Sequence, residues 1–241
     1  MCIKNHIPNC ITSLNLLSGC IAIIFSFYGE FNAALLAIIA ASVFDFLDGL
    51  SARLLKAYSP MGKELDSLAD MTSFGLAPAM ILFNKLMTDA YNPSVIWLAA
   101  TLLTAVFSAL RLAKFNIDSR QSENFIGLAT PANALLIASG IASLELYPEI
   151  DAAIMEKYCY ILPLCALLLS FLLVSEIPMF SFKFKSLKFK ENSTRFLFVA
   201  MMAVLGITTA AFGVNWKVWV FATFASYIIM NLLLAIPAKR G

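Results

Sequence analysis

The chain has 241 residues, of which 61% are hydrophobic and 13% charged. A soluble domain of this length would carry about twice that charged fraction, so a water-soluble globule is excluded and a polytopic membrane protein is expected. The net charge of +2 singles out no class of partner, and the placement of charges along the chain carries the information instead.

Each span needs about 20 apolar residues. Eight are expected, at residues 10–28, 32–55, 66–85, 94–114, 127–146, 157–175, 195–213 and 216–236, which makes the fold an all-α transmembrane helix bundle. The first contains "LLSGC" (Leu16 to Cys20), which imitates a lipoprotein cleavage box. Asn9, Thr12, Ser13 and Asn15 make a poor signal-peptide core, and the chain stays apolar after Cys20, so the segment is expected to be a retained span. Cys2, Cys10, Cys20, Cys159 and Cys165 are odd in number and form no CxxC pair. They are expected to be reduced thiols packed against lipid or core. His6 is expected to be solvated.

Placing the N-terminus in the cytoplasm sends fourteen basic residues to one side: Lys4, Arg53, Lys56, Lys63, Arg111, Lys114, Arg120, Lys183, Lys185, Lys188, Lys190, Arg195, Lys239 and Arg240. Only Lys85, Lys157 and Lys217 reach the other side, together with the acids Glu30, Asp89, Glu145, Glu149 and Asp151. The positive-inside rule is satisfied at every loop. Both termini and the 56–65 loop are therefore expected in the cytoplasm, with the chain in the cytoplasmic membrane. "FSFKFKSLKFK" (Phe180 to Lys190) interleaves rings and ammonium groups. It reads as an anchor to lipid headgroups, and no nucleic-acid partner is expected.

The second and third spans hold four aspartates in an otherwise apolar stretch. A carboxylate at membrane depth is costly unless it is paired, ion-bound or facing a watery cavity. Asp45 and Asp48 (i, i+3) share one helix face with Gly49 and Ala52, and Asp66 and Asp70 (i, i+4) share another. The "YSPMGK" loop reverses the chain between them, so the two pairs can face each other below the headgroups. Oxygen donors without Cys or His select hard divalent cations, Mg²⁺, Mn²⁺ or Ca²⁺. Two such ions can grip a diphosphate and neutralise both attacking and leaving oxygens. Gly49 and Ala52 clear space on the acidic face, Arg53 offers a cationic fork suited to phosphate, and Gly62 is expected to let the loop turn tightly. A purely structural network, with Arg53 and Lys63 neutralising the acids, leaves five carboxylates (Glu64 included) against two cations.

The run Asp45-x2-Asp48-Gly49-x2-Ala52-Arg53-x8-Gly62-x3-Asp66-x3-Asp70 resembles the CDP-alcohol phosphotransferase signature at every fixed position. The resemblance implies two divalent ions, Mg²⁺ or Mn²⁺, held by Asp45, Asp48, Asp66 and Asp70, with Asp70 as general base. It implies a CDP-linked lipid bound near Gly49, Ala52, Arg53 and Gly62, and a homodimer. Further stretches resemble the phosphatidylserine-forming branch of that family: "IPNCITSLNLLSG", "DSLADMTSFGLAPA", "LRLAKFN", "FIGLATPANA" and, loosely, "SEIPMFSFK". Ala129 stands where that branch usually has proline.

The substrates so implied are CDP-diacylglycerol and L-serine, giving phosphatidylserine and CMP. A serine hydroxyl is a weak nucleophile near neutral pH and needs a base, for which Asp70 is the candidate. Asn9 is either a nucleotide contact or the cap of the first helix. Arg111, Lys114 and Asn116 are candidates for the serine carboxylate and ammonium, or alternatively membrane anchors, and Thr130 and Asn133 could line the same pocket. The alternatives are a sibling acceptor (glycerol 3-phosphate, inositol or inositol phosphate) or, outside enzymes, a divalent-cation transporter. The absence of acids from the other spans speaks against transport. The matched core is residues 1–185; residues 186–241 are expected to be a helical hairpin extension to which no chemistry is assigned.

Overall fold

The computed structural model describes residues 6–89, 93–118, 120, 125–149, 157–181 and 192–238. Helices α1 (His6–Phe27) and α2 (Phe31–Leu55) are followed by α3 (Pro60–Asp70), a π-helical segment (Met71–Leu76) and α4 (Ala77–Asp89), the last three forming one unbroken rod. Then come α5 (Val95–Ile117), strand β1 (Phe125–Ile126), α6 (Thr130–Leu144), α7 (Tyr158–Val174), strand β2 (Pro178–Met179), α8 (Ser193–Ala211) and α9 (Trp216–Ala238). With the α3–α4 rod taken as one span, the expected eight are present and the chain is an all-α membrane bundle, apart from the two-residue strands. Five helices are long and apolar enough to cross a membrane alone.

Boundaries differ where turn chemistry outranks hydropathy. The third span begins at Pro60 rather than residue 66. Ser59 caps α3 by accepting from the Gly62 N–H at 2.9 Å, and Pro60 occupies the first turn, where its missing N–H costs nothing. The sharp turn after α2 falls instead to Lys56, in the left-handed region at φ 51°, whose N–H reaches the carbonyls of Ala52 and Arg53. The fifth span is only the 15 residues of α6, because residues 125–128 are drawn into another structure. There β1 pairs antiparallel with β2, Gly127 N–H donates to the Ile177 carbonyl at 2.8 Å and Leu128 N–H to that of Leu172 at 2.9 Å. Gly127 has φ +79°, and a Cβ there would lie 2.5 Å from the Leu173 carbonyl oxygen.

Two apolar centres hold the helices together. The first joins α1, α2, the π-helical segment, α4, α6 and α7 through Ala22, Ala34, Leu35, Ile38, Ala41, Phe74, Ile81, Leu86, Ile137, Ile141 and Ala166. Its many alanines let backbones approach closely, the usual basis of helix association in lipid. Gly19 takes this furthest: a Cβ there would lie 2.7 Å from the Ser73 Cα, while the Ser73 hydroxyl donates to the Asn15 carbonyl at 2.9 Å. The second centre ties α8 and α9 to β2 through Leu128, Leu173, Met179, Phe198, Tyr227 and Ile228, with edge-on rings Phe180–Tyr227 5.1 Å and Phe180–Phe198 5.5 Å apart. Edge-to-face rings at these separations are a favoured arrangement.

Cys10, Cys20 and Cys165 are free and lie on the outer surface of the bundle, as expected, and His6 is exposed. α1 runs through Cys20 without interruption. Lys85 and Lys217 are buried rather than peripheral: Lys85 stands over the Phe31 ring, 5.7 Å from its centroid, and Lys217 donates to Asn32. Cys2 and residues 182–190 of the basic–aromatic anchor lie outside the described residues.

Candidate active site

Asp45 and Asp48 project from α2, two to three turns before its end, and Asp66 from the second turn of α3. One carboxylate oxygen from each of the three lies within 4.8 Å of the others. Asp48 is buried, and its Oδ2 has no hydrogen-bond partner. Among the described residues neither Arg53 nor Lys63 forms an ion pair with these acids: Arg53 is exposed and its Nε donates to the Gly49 carbonyl at 3.0 Å. Three converging carboxylates, one with an orphaned buried oxygen and none neutralised by a side-chain cation, fit a hard divalent ion with oxygen ligands. Asp70, one turn beyond Asp66, receives the Asn15 Nδ2–H on its Oδ1 at 3.2 Å. Its carboxyl group also reaches that of Asp45.

Two cavities meet at Asp45 and Asp66. The first, about 490 Å³, is framed by α1, α2 and α3 and lined by Asn9, Thr12, Asp48, Gly49, Ala52, Arg53, Gly62 and Lys63 besides the shared acids. All five residues expected to touch the CDP-lipid are here. A Cβ on Gly49 would find nothing within 4 Å, so this backbone faces open space, as expected. Gly62 has a different role from the one expected. It sits inside α3, not in the loop, and a Cβ there would lie 2.9 Å from Asn9 Oδ1. Asn9 in turn lies within α1, not at its start, so the capping alternative falls away.

The second cavity, about 450 Å³, is lined by Asp70, Arg111, Phe115, Phe125, Thr130, Phe224 and Tyr227 together with Asp45 and Asp66. Arg111 is buried. Its Nε donates to the Leu128 carbonyl at 3.2 Å, and its guanidinium lies 5.1 Å from the Phe115 centroid and 5.8 Å from that of Phe125. A membrane anchor would be exposed, so the anchoring alternative fails for Arg111.

Two other acceptor candidates line neither cavity. Lys114 is ion-paired to Glu176 at 2.6 Å, and Asn116 donates to the Ser67 hydroxyl at 2.8 Å. Asn116, five residues beyond Arg111 on α5, turns away from it, whereas Lys114, three beyond, shares its face but is drawn off by Glu176. Lys114 and then Arg120 hold the exposed Glu176 carboxyl below its ordinary range. Asn133 is fully buried with both amide atoms unpaired, but it is not part of the cavity wall.

Sequence reasoning overlooked Asn15, Phe224 and Tyr227. An amide in the middle of an apolar span was the available signal for Asn15. For the α9 residues no local signal existed.

The family pattern described as CDP-alcohol phosphatidyltransferase matches residues 5–172. The chain belongs to the CDP-alcohol phosphatidyltransferase family. Within it, the chain is similar to the CDP-diacylglycerol–serine O-phosphatidyltransferase of Bacillus subtilis (strain 168), at 39% identity over 127 residues, 53% of this chain and 70% of the relative. It is similar to that of Helicobacter pylori (strain ATCC 700392 / 26695) at 32% over 200 residues, 82% of this chain and 80% of the relative. The archaetidylserine synthase of Methanothermobacter thermautotrophicus is 34% identical over 149 residues, 61% of this chain and 62% of the relative. The matched segment of the family ends within α7, so α8 and α9 lie beyond it.

Proposed function

We propose that this phosphatidyltransferase moves the phosphatidyl group of CDP-diacylglycerol to L-serine, giving phosphatidylserine and CMP. The carrying observation is that two cavities of different character share Asp45 and Asp66 as their common wall. The side with Asn9, Gly49, Ala52, Arg53 and Gly62 suits the nucleotide diphosphate: backbone is open to it and Arg53 stands at its rim. The side with Asp70, Arg111 and Thr130 suits an acceptor with one carboxylate. Arg111 is the one cation in its described lining, whereas a phosphorylated acceptor calls for a concentrated cationic pocket.

In this reading Arg111, fixed by the Leu128 carbonyl and the Phe115 and Phe125 rings, binds the serine carboxylate, and Thr130 lies alongside. Asn15 orients Asp70 so that its other oxygen accepts the hydroxyl proton. The serine oxygen then bonds to the lipid-side phosphorus as the bond from phosphorus to the CMP oxygen breaks. Two divalent ions, Mg²⁺ or Mn²⁺, held by Asp45, Asp48, Asp66 and Asp70, would neutralise the diphosphate and the departing CMP.

The fourteen-to-three partition of basic residues supports a site opening to the cytoplasm, with both termini there, in the cytoplasmic membrane. We further propose a homodimer, and a core over residues 1–185 extended by a hairpin at 186–241, as the sequence resemblance implies. The deciding assay offers purified protein CDP-diacylglycerol with L-serine, glycerol 3-phosphate or inositol separately, with Mg²⁺ or Mn²⁺, and measures CMP and lipid product. Serine-dependent CMP release is expected. Turnover with glycerol 3-phosphate or inositol in place of serine would overturn the serine assignment.

A further inference from the structure

The acceptor-side cavity is closed by a helix that the family segment does not include. Phe224 and Tyr227 (i, i+3) stand on one face of α9 and line the cavity together with Asp45, Asp66 and Asp70. Without α9 this side would open onto lipid, because the remaining lining residues all come from α2, α3, α5, β1, α6 and the β1–α6 turn.

Tyr227 is also joined to Arg111 through a chain of backbone contacts. Its hydroxyl donates to the Phe180 carbonyl at 2.9 Å, while Phe180 N–H donates to Asn231 Oδ1 at 2.9 Å. Asn231 Nδ2 donates back to the Tyr227 carbonyl at 2.8 Å, so one turn of α9 grips the residue that follows β2. β2 pairs with β1, which carries Phe125, and the turn after β1 presents the Leu128 carbonyl that accepts from Arg111. A pull on Tyr227 is therefore a pull on the arginine's support.

We propose that α9 is the acceptor-selecting wall of the active site: Phe224 limits the length of the acceptor, and Tyr227 acts as a positioning residue that holds the β1–β2 clasp behind Arg111. This rests on the reading of the second cavity as the acceptor side. Phe224 is half-buried and lies on the cavity surface, so truncating it adds space next to the bound acceptor rather than a sealed void. An apolar wall distinguishes ligands differing by one methylene by about 10- to 200-fold. Loss of a single neutral hydrogen bond behind the site is worth about two- to tenfold.

The test uses the full chain with Phe224→Ala, Phe224→Leu and Tyr227→Phe, assayed with L-serine and with L-homoserine, which has one more methylene before its hydroxyl. In Phe224→Ala the kcat/KM preference for serine over homoserine should fall about tenfold or more, with Phe224→Leu intermediate and the KM for CDP-diacylglycerol unchanged. Tyr227→Phe should raise the serine KM by about two- to tenfold, again leaving the lipid KM unmoved. A merely structural role would lower the melting temperature and the active fraction without moving the acceptor preference. The proposal is overturned if the serine-to-homoserine preference stays within about twofold in both Phe224 variants, or if Tyr227→Phe leaves the serine KM unchanged. If the wild-type chain turns over another alcohol instead of serine, the function proposed above fails on its own. The same variants, assayed with that alcohol and its one-methylene homologue, still decide the role of α9.

Discussion

The two cavities are built in opposite ways. The cavity proposed for the nucleotide comes almost wholly from one stretch, Asp45 to Asp66, folded back on itself as the α2–α3 hairpin and leaned on by α1. The acceptor side draws Asp70 from α3, Arg111 from α5, Phe125 from β1, Thr130 from α6 and Tyr227 from α9, residues scattered over more than half the chain. A local hairpin carries its chemistry in its spacing, since helix periodicity alone puts Asp45, Asp48 and Asp66 on facing sides. The acceptor side exists only after long-range packing. Substitutions at the carboxylates should therefore abolish function, and those at the other residues of the second side should tune it.

The largest effect is expected at the shared wall. Asp45→Asn or Asp66→Asn removes charge where the carboxylates converge, so Mn²⁺ binding and CDP-diacylglycerol binding should both be lost, as read by metal titration and lipid binding on purified protein. Retained lipid binding in either variant would break the comparison.

Asp70→Asn comes next. Asn15 can still donate to the amide oxygen, so the local structure should persist and lipid binding should remain measurable. Single-turnover transfer should fall by about 10²–10⁴-fold, the span of general-base catalysis. Loss of lipid binding as complete as in Asp66→Asn would remove Asp70 from the role of base.

Arg111→Ala should raise the serine KM by roughly tenfold to a hundredfold, because a charge-assisted contact of about 1.5–3 kcal/mol is lost, with much less change in the lipid KM. The smallest effect belongs to Lys114→Ala. Its ammonium is occupied by Glu176, so both KM values should stay within about twofold, as expected of a solvent-facing ion pair. A large rise in serine KM there would mean that Lys114 leaves Glu176 when the acceptor binds.

The contrast also decides what could be read before any fold was in hand. Spans, motif and carboxylate cluster were legible because periodicity and spacing are local. Gly62 was misassigned to a turn because glycine's two uses, positive φ and close approach, leave the same letter; only Asn9 pressing on it separates them. Arg111 and Lys114, three apart on α5, are indistinguishable in the sequence as basic residues near the end of a span. Burial under Leu128 and a partner on Glu176 divide them, and both partners arrive from beyond α5. Tyr227 and Phe224 sat in an apolar span with nothing to mark them. Their importance comes from which cavity α9 happens to close.

The widened turn at Met71–Leu76 has a consequence for how the third span can serve two ends at once. A π segment inserts one extra residue into a helix, and each residue advances an α-helix by roughly 100°. The rod from Pro60 to Asp89 therefore carries two independent phases. Its inner half is rotated to bring Asp66 towards α2 and Asp70 towards α1. Its outer half is rotated so that Asn84 donates to the Ser26 hydroxyl at 2.8 Å and Ile81 and Leu86 point into the apolar centre. Ruled on a single pitch, the rod could satisfy one set and would swing the other into lipid. The extra residue works as a vernier, and it stands next to Asp70, at the boundary between the half that carries the aspartates and the half that packs into the bundle.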